Sequence, residues 1–505
     1  MHLFMKRSLH LMVLSIIVGA IGFADSGCHR ATGGAAALRS AVTTYRLANG
    51  MTWLLVQRGE APVFTGVVQV RVGGIEEEAG KGGLAHMFEH MAFKGSATIG
   101  TKNFPEEAAL MSKMRSVDEQ WRTARAEHRD ADAVAFVAQR TALVKQASQY
   151  VVSNQLWQIF HDSGVAELNA FTTKDVTAYF ARMPSEALPL WIYLNAHMVG
   201  HPVLREFYSE RDVVMEERRT SVDNSPQGKL YEAMLQKAYT TSPYRIMPIG
   251  AMDELQDLTM ADAEAFHAKY YHPERMVGVL VGRFDPVLAK EIIDKHFGSL
   301  PAGANVATTL PAEEPPQTAE RRVDVAFDAG ERFHVAYHKP TLPHKADYVF
   351  DAIQYILCGG ESARLVRLLE QEKGIARDVA CYTSSPGARL SNLFVISGQP
   401  LAGHTSEEVI AVIESELTRL RMQPVSAEEL TTTRTNLEAD FLWGLSTNES
   451  LAQQLAYFQS VAGDWHYLVN HSTEMDRITP DDVREVARTY LSPPQRTIAI
   501  LRRSR

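Results

Sequence analysis

Part of this chain occurs twice, and that repetition limits what it can fold into more than any other feature. Leu258 to Val281 aligns without gaps onto Ile478 to Leu501, an offset of 220 (478 − 258). Thr259 and Thr479 stand where helix N-caps belong. Asp262 matches Asp482, Tyr270 matches Tyr490, and Pro273 matches Pro493, with an apolar β-like run after each. Helix, Tyr, Pro, strand therefore closes two stretches of chain, the mark of a duplicated architecture. Between the copies, Pro301-Ala-Gly-Ala and Pro311-Ala-Glu-Glu-Pro-Pro mark an extended linker over 301–322. With 505 residues there is chain enough for two cores. The expected domains are 42–300 and 323–505.

The halves are not chemically equivalent. In the first, a β-rich run from Val63 to Val72 ends at Gly73-Gly74, and Gly82-Gly83 precedes a helical run from Leu84 to Phe93. That run contains His86-Met-Phe-Glu89-His90, an inverted zinc-peptidase pattern. On a helix, His86 and His90 share a face and can take two corners of a tetrahedral zinc site. Glu89 projects near the same point and can accept a proton from water there. In the second half, matching Gly360 to Gly95 puts Asp351, Gln354 and Tyr355 at the places of His86, Glu89 and His90. That half carries no zinc motif. A catalytic zinc needs a third protein ligand. The helical segment Glu206 to Arg218 offers Glu210 and Glu217, seven apart on one face, although charged helices usually just face solvent. His334 with His338, and His197 with His201, are assigned to no metal.

The net charge of −9 (51 basic, 60 acidic residues) argues against nucleic-acid binding. Lys6-Arg7, an apolar run to Phe23 and Gly22-Phe23-Ala24 form an export signal over 1–24. Cleavage after Ala24, a lipid anchor at Cys28 and an uncleaved anchor all remain open, and each exports the protein to a periplasmic or secreted location. Residues 25–41 read as a flexible tether. Three cysteines exclude a disulfide framework. Cys358 and Cys381 are either paired or two buried thiols. Residues 104–160 lack Gly and show apolar residues at helical spacing (Leu110, Met114, Val117, Trp121), which predicts a hairpin of two long helices with no chemistry of its own.

Gly-Gly-Leu-Ala-His-Met-Phe-Glu-His-Met-Ala-Phe-Lys-Gly (82–95) resembles the metal helix of the pitrilysin family, which includes insulysin and the mitochondrial processing peptidase. Leu168-Asn-Ala-Phe-Thr-Thr-Lys-Asp-Val-Thr-Ala-Tyr179 resembles the family's substrate-pairing edge strand. Glu210-Arg-Asp-Val-Val-Met-Glu-Glu217 resembles the segment with the last ligand. The motifs occur in family order, and the resemblance spans most of 42–505. It implies an α+β fold of two similar domains, each a mixed sheet covered by helices, forming half of a clamshell. It implies that His86, His90 and Glu217 bind one Zn2+, with Glu216 the rival third ligand. Glu89 is then the general base, Glu210 supports the site, and Asn169, Ala170 and Phe171 lie on the substrate strand.

Two departures accompany the resemblance. The stretch between His90 and Glu217 is longer than the family usually has, and the insertion 104–160 accounts for it, packing outside the zinc site. Active members carry an Arg and a Tyr, seven apart, in the second domain; here Glu370 and Arg377 stand at those positions. The expected function is zinc-dependent hydrolysis of extended peptides. The Arg/Tyr pair would come from a second family subunit, or the chain would form a homodimer. The alternative is a non-catalytic peptide-binding or scaffolding subunit.

Overall fold

The computed structural model describes residues 32–303 and 313–504. The signal segment 1–24 and Cys28 lie outside the described residues. The first sheet holds β1 (Val42–Arg46), β2 (Thr52–Gln57), β3 (Val63–Val70), β4 (Glu167–Thr172), β5 (Thr177–Pro184) and β6 (Met276–Gly282), in the order β1-β2-β6-β3-β5-β4. The second holds β7 (Arg321–Phe327), β8 (Arg332–Lys339), β9 (Ala376–Ser385), β10 (Asn392–Pro400) and β11 (Arg496–Arg503), in the order β7-β11-β8-β10-β9. Without β1 the orders are the same, and so are the directions. β2 runs parallel to β6 and β7 to β11, and every other neighbour is antiparallel. The duplication read from a single helix-strand unit thus extends through five strands. At the repeat itself, Thr259 with Asp262 and Thr479 with Asp482 form matching capping boxes on the helices Met260–Tyr270 and Pro480–Tyr490.

Strand residues alternate between the two faces of each sheet. Trp53 and Leu55 enter one core of the first sheet, while Leu54 and Val56 enter another. The second of these cores is completed from the other half of the chain: Leu451, Ala452, Leu455 and Ala456 of the helix Asn448–Val461 lie against Val67, Val279 and Val281. The reverse exchange uses the helix Pro226–Ala238, whose Leu230, Met234 and Leu235 pack on Ala336, Val395, Ala499 and Leu501 of the second sheet. Each half therefore lends a helix to the other's sheet, and 42–300 and 323–505 are not self-contained units.

A buried polar clasp joins the halves. Asp175, between β4 and β5, accepts from the backbone N–H of Ala388 at 2.5 Å, and its other oxygen takes the Tyr244 hydroxyl at 2.6 Å. Arg389 reaches Glu76 at 2.8 Å and the Asp175 carbonyl at 3.0 Å.

Three local expectations change, and the open choice for the cysteines is resolved. Residues 32–41 of the supposed tether form helix α1 (Thr32–Ala41). Leu38 packs on the core that the exchanged helix completes and Arg39 donates to Asn470 at 2.7 Å, so the helix has a partner surface. The second half begins at Arg321, inside the expected linker, because β7 pairs with β11 from there. Cys358 and Cys381 form a disulfide between the helix Lys345–Cys358 and β9. Besides α3 (Phe104–Ala126) and α4 (Asp130–Ala147), the insertion contains a third, short helix, α5 (Gln155–Asp162). Among the described residues, no helix is long and apolar enough to cross a membrane.

Candidate metal centre and substrate edge

Helix α2 (Leu84–Ala92) presents His86 and His90 on one face, their rings 4.9 Å apart. Leu84, Met87, Phe88 and Met91 bury the opposite side in the first core. The N-terminus of α2 is held by Glu77, which accepts from the N–H groups of Gly83 at 3.0 Å and Ala85 at 2.9 Å. Burial pushes the Glu77 carboxyl up, against the pull of Lys174 and those two N–H groups. Sequence reading passed over Glu77 because it sits in a run of three glutamates that looks like a solvated loop.

Helix α6 (Leu188–Gly200) packs on the sheet and leads to the second helix of the site, α7 (Phe207–Arg218). From α7, Glu217 faces α2: Oε1 lies 3.8 Å from His86 Nε2 and Oε2 lies 3.6 Å from His90 Nε2. Glu216 is turned outward and pairs with Arg219 at 2.9 Å, which separates the rivals. Glu210 lies one face-repeat earlier, 3.3 Å from His90 Nδ1, and also receives the Lys94 ammonium. Glu89 Oε2 comes within 4.0 Å of His86 Nε2.

These separations can be tested against an ion. Nitrogen-to-oxygen gaps of 3.6 and 3.8 Å are long for hydrogen bonds. Two ligand atoms each about 2.1 Å from one tetrahedral ion would stand about 3.4 Å apart. Ligand atoms of His86, His90 and Glu217 all lie within 4.8 Å of one another, the one such group among the described residues. Two imidazoles and one carboxylate suit zinc, and Glu210 on the far nitrogen of His90 is the orienting contact that such ligands need. The residues fit the metal.

Charge tells a consistent story. Burial holds the His86 imidazole below its ordinary value, with Glu89 opposing. For His90 burial acts in the same direction but is outweighed by the Glu210 contact and the neighbouring Glu217 and Glu89 carboxylates, which push it up to about 10. Burial disfavours the Glu217 carboxylate, yet His90 and His86 keep it below the usual range. The spot between α2 and α7 attracts positive charge.

Beside α2, β4 forms the outer edge of the first sheet, with Asn169, Ala170 and Phe171 opposite Phe180, Tyr179 and Ala178. Their side chains do not share a face: Ala170 packs in the core that contains α2, and Phe171 packs on Phe180 across the sheet. What they share is backbone, and the Ala170 N–H is held by Asn169 Oδ1 at 2.9 Å. An added strand would displace that amide.

The edge is braced by a carboxyl pair. Burial and then Glu167 of β4 push Glu449 of the exchanged helix up to about 7. A carboxyl raised in the fold stabilises below its unfolded value, near 4.5, and loses that contribution as pH rises through about 7. The melting temperature should therefore fall more between about pH 5 and about pH 8 in the native chain than in Glu449→Gln. Parallel melting profiles for the two proteins would assign the pH effect elsewhere.

In the second half the corresponding helix face is closed on itself. Asp351 meets His471 at 3.1 Å and Thr383 at 3.3 Å. Glu370 accepts from the Val379 N–H at 2.7 Å, and Arg377 donates to Gln399 at 3.2 Å. His338 bonds the Ala238 carbonyl at 3.0 Å, and burial depresses His334 to about 4.

Known protein families share the division into two unlike halves. Residues 54–117 and 123–248 match the family described as Insulinase (Peptidase family M16), and residues 257–437 match the Peptidase M16 inactive domain. The chain belongs to peptidase family M16, the insulinase or pitrilysin family. It is 28% identical to the zinc protease PqqE of Helicobacter pylori over 87% of this chain and 88% of that protein. It is 20% identical to the mitochondrial-processing peptidase subunit beta of Lentinula edodes over 88% of this chain and 86% of that protein. The crystal structure of a protease from Helicobacter pylori matches with a TM-score of 0.76 at 26% identity, covering 91% of this chain and 99% of that one.

Proposed function

We propose that this chain is a zinc-dependent endopeptidase subunit that cleaves extended peptide segments. The observation that carries the reading is the convergence of His86, His90 and Glu217 on one point that Glu89 also reaches. Bound there, one zinc ion per chain would supply a Lewis acid that polarises a peptide carbonyl and makes water a nucleophile near neutral pH. Glu89 Oε2 takes the proton of the attacking water and returns it to the leaving amine. Glu210 fixes the His90 ring through Nδ1. Substrate adds along β4 as a strand, which selects unfolded chains or short peptides.

The chain lacks the family's Arg/Tyr pair, and Glu370 and Arg377 are engaged with neighbours in their own half. A second family chain supplying that pair completes the oxyanion contacts. The likeness to a protein named a subunit supports that arrangement. The N-terminal segment supports an exported location, with any membrane attachment through a lipid at Cys28 or an uncleaved signal segment.

The test is a zinc titration of chelator-stripped protein, followed by cleavage of an unfolded peptide with and without the product of a neighbouring gene of this family. Stoichiometric zinc and cleavage that rises with the partner are expected. Zinc uptake without cleavage in either mixture would favour the non-catalytic peptide-binding subunit instead.

A further inference from the structure

The ligands come from two helices that are distant in sequence, so something must fix α2 against α7. Arg205, just before α7, is fully buried and spends all its donors. Nε and Nη2 grip the two oxygens of Glu107 at 2.7 and 2.9 Å. Nη1 reaches the carbonyls of Lys94 at 2.6 Å and Ile99 at 2.9 Å, and Nη2 reaches that of Ser96 at 3.0 Å. Those three carbonyls belong to the loop that leaves α2. Glu107 belongs to α3, the first helix of the insertion.

The loop is shaped around the guanidinium. Gly95 and Gly100 have φ of +91° and +88°. A Cβ on Gly100 would stand 2.7 Å from Arg205 Nη1, and one on Gly95 would stand 2.3 Å from the Ile99 carbonyl. A second strap runs the other way: Lys94, whose carbonyl Arg205 holds, sends its ammonium to Glu206 at 3.5 Å and to Glu210. Glu210 then contacts His90. The chain of contacts Glu107, Arg205, Lys94, Glu210, His90 ends on a ligand.

We infer that Arg205 is a positioning residue of the metal centre, and that the insertion 104–160 serves the site by supplying Glu107 to hold it. The inference rests on the zinc reading above. A planar fork with five donors is what the pocket accepts; a lysine brings the charge but neither the fork nor the donor count. The hairpin expected to lie outside the site is in this reading the wall that sets the spacing between His90 and Glu217.

Arg205→Lys and Glu107→Gln test it, with zinc affinity measured by competition against a chromophoric chelator and unfolding followed in the zinc-free state. Both variants should bind Zn2+ about 10- to 100-fold more weakly than the native chain. On a peptide substrate kcat should fall with KM little changed. Lys339→Met breaks a buried pair with Asp347 in the other half. It should lower the unfolding temperature while leaving zinc affinity as in the native chain. Native zinc affinity in both Arg205→Lys and Glu107→Gln would overturn the positioning role and leave the zinc reading standing. A native chain that takes up no zinc would overturn both.

Discussion

Glu89→Gln is expected to keep its zinc and to lose turnover by about 10²- to 10⁴-fold, the range for removing a positioned general base. The substitution preserves size, and Glu89 is not among the three groups whose ligand atoms converge. Its carboxylate is largely sheltered, at 16% exposure, and comes within 4.0 Å of His86 Nε2, so it sits beside the reacting centre without being needed to build it. A glutamine there can still accept a hydrogen bond but cannot carry a proton from water to an amine. The Tyr179 and Tyr271 phenols both feel the Glu89 charge, and burial first of all drives both above the ordinary tyrosine value, so each remains a neutral hydroxyl at working pH. Zinc content by atomic absorption and kcat on an unfolded peptide with the completing partner separate the outcomes. Normal turnover would remove Glu89 from the proton-transfer role, and lost zinc would make it a ligand rather than a base.

What was legible in the sequence follows a physical pattern. Local spacing carries helices, caps and motifs, so His86, Glu89 and His90 and the twin helix N-caps at Thr259 and Thr479 could be read directly. Glu217 needed the family resemblance, because a charged helix face looks the same whether it meets solvent or a metal. Contacts between distant segments left little trace. Arg205 and Glu107 are 98 residues apart, and neither stands out from the surface charges around it. The exchanged helix Asn448–Val461 shows an apolar stripe at Leu451, Ala452, Leu455 and Ala456, which predicts a buried face but not whose sheet it covers. The tether was misread for a related reason. Alanine is a strong helix former as well as a common linker residue, and packing decides between the two uses. The finding that halves trade helices also explains why a boundary drawn at the Pro-rich linker divides the chain without dividing its cores.

That exchange makes the interface between the halves part of the folding unit, and Arg389 holds a buried ion pair within it. Arg389→Met is expected to cost about 3–5 kcal/mol, the usual penalty for stripping one partner from a buried ion pair. Arg389 and Glu76 have side chains only 1% and 4% exposed, so water cannot take over the lost contact. Burial already pushes the Glu76 and Asp175 carboxyls up, and Arg389 is a main influence pulling Glu76 back down. Without it, burial raises the Glu76 carboxyl further. A carboxyl raised in the fold costs nothing below its unfolded value, and the cost grows as pH rises toward its folded value. The deficit of Arg389→Met should therefore be larger at about pH 8 than at about pH 5. Urea unfolding of the zinc-free chain, followed by tryptophan fluorescence, reads both. Because each sheet is covered by the other half's helix, the transition should stay single, with both halves lost together. A deficit under about 1 kcal/mol would reduce the clasp to a surface-like pair. Two separated transitions would show that the exchanged helices do not couple the halves.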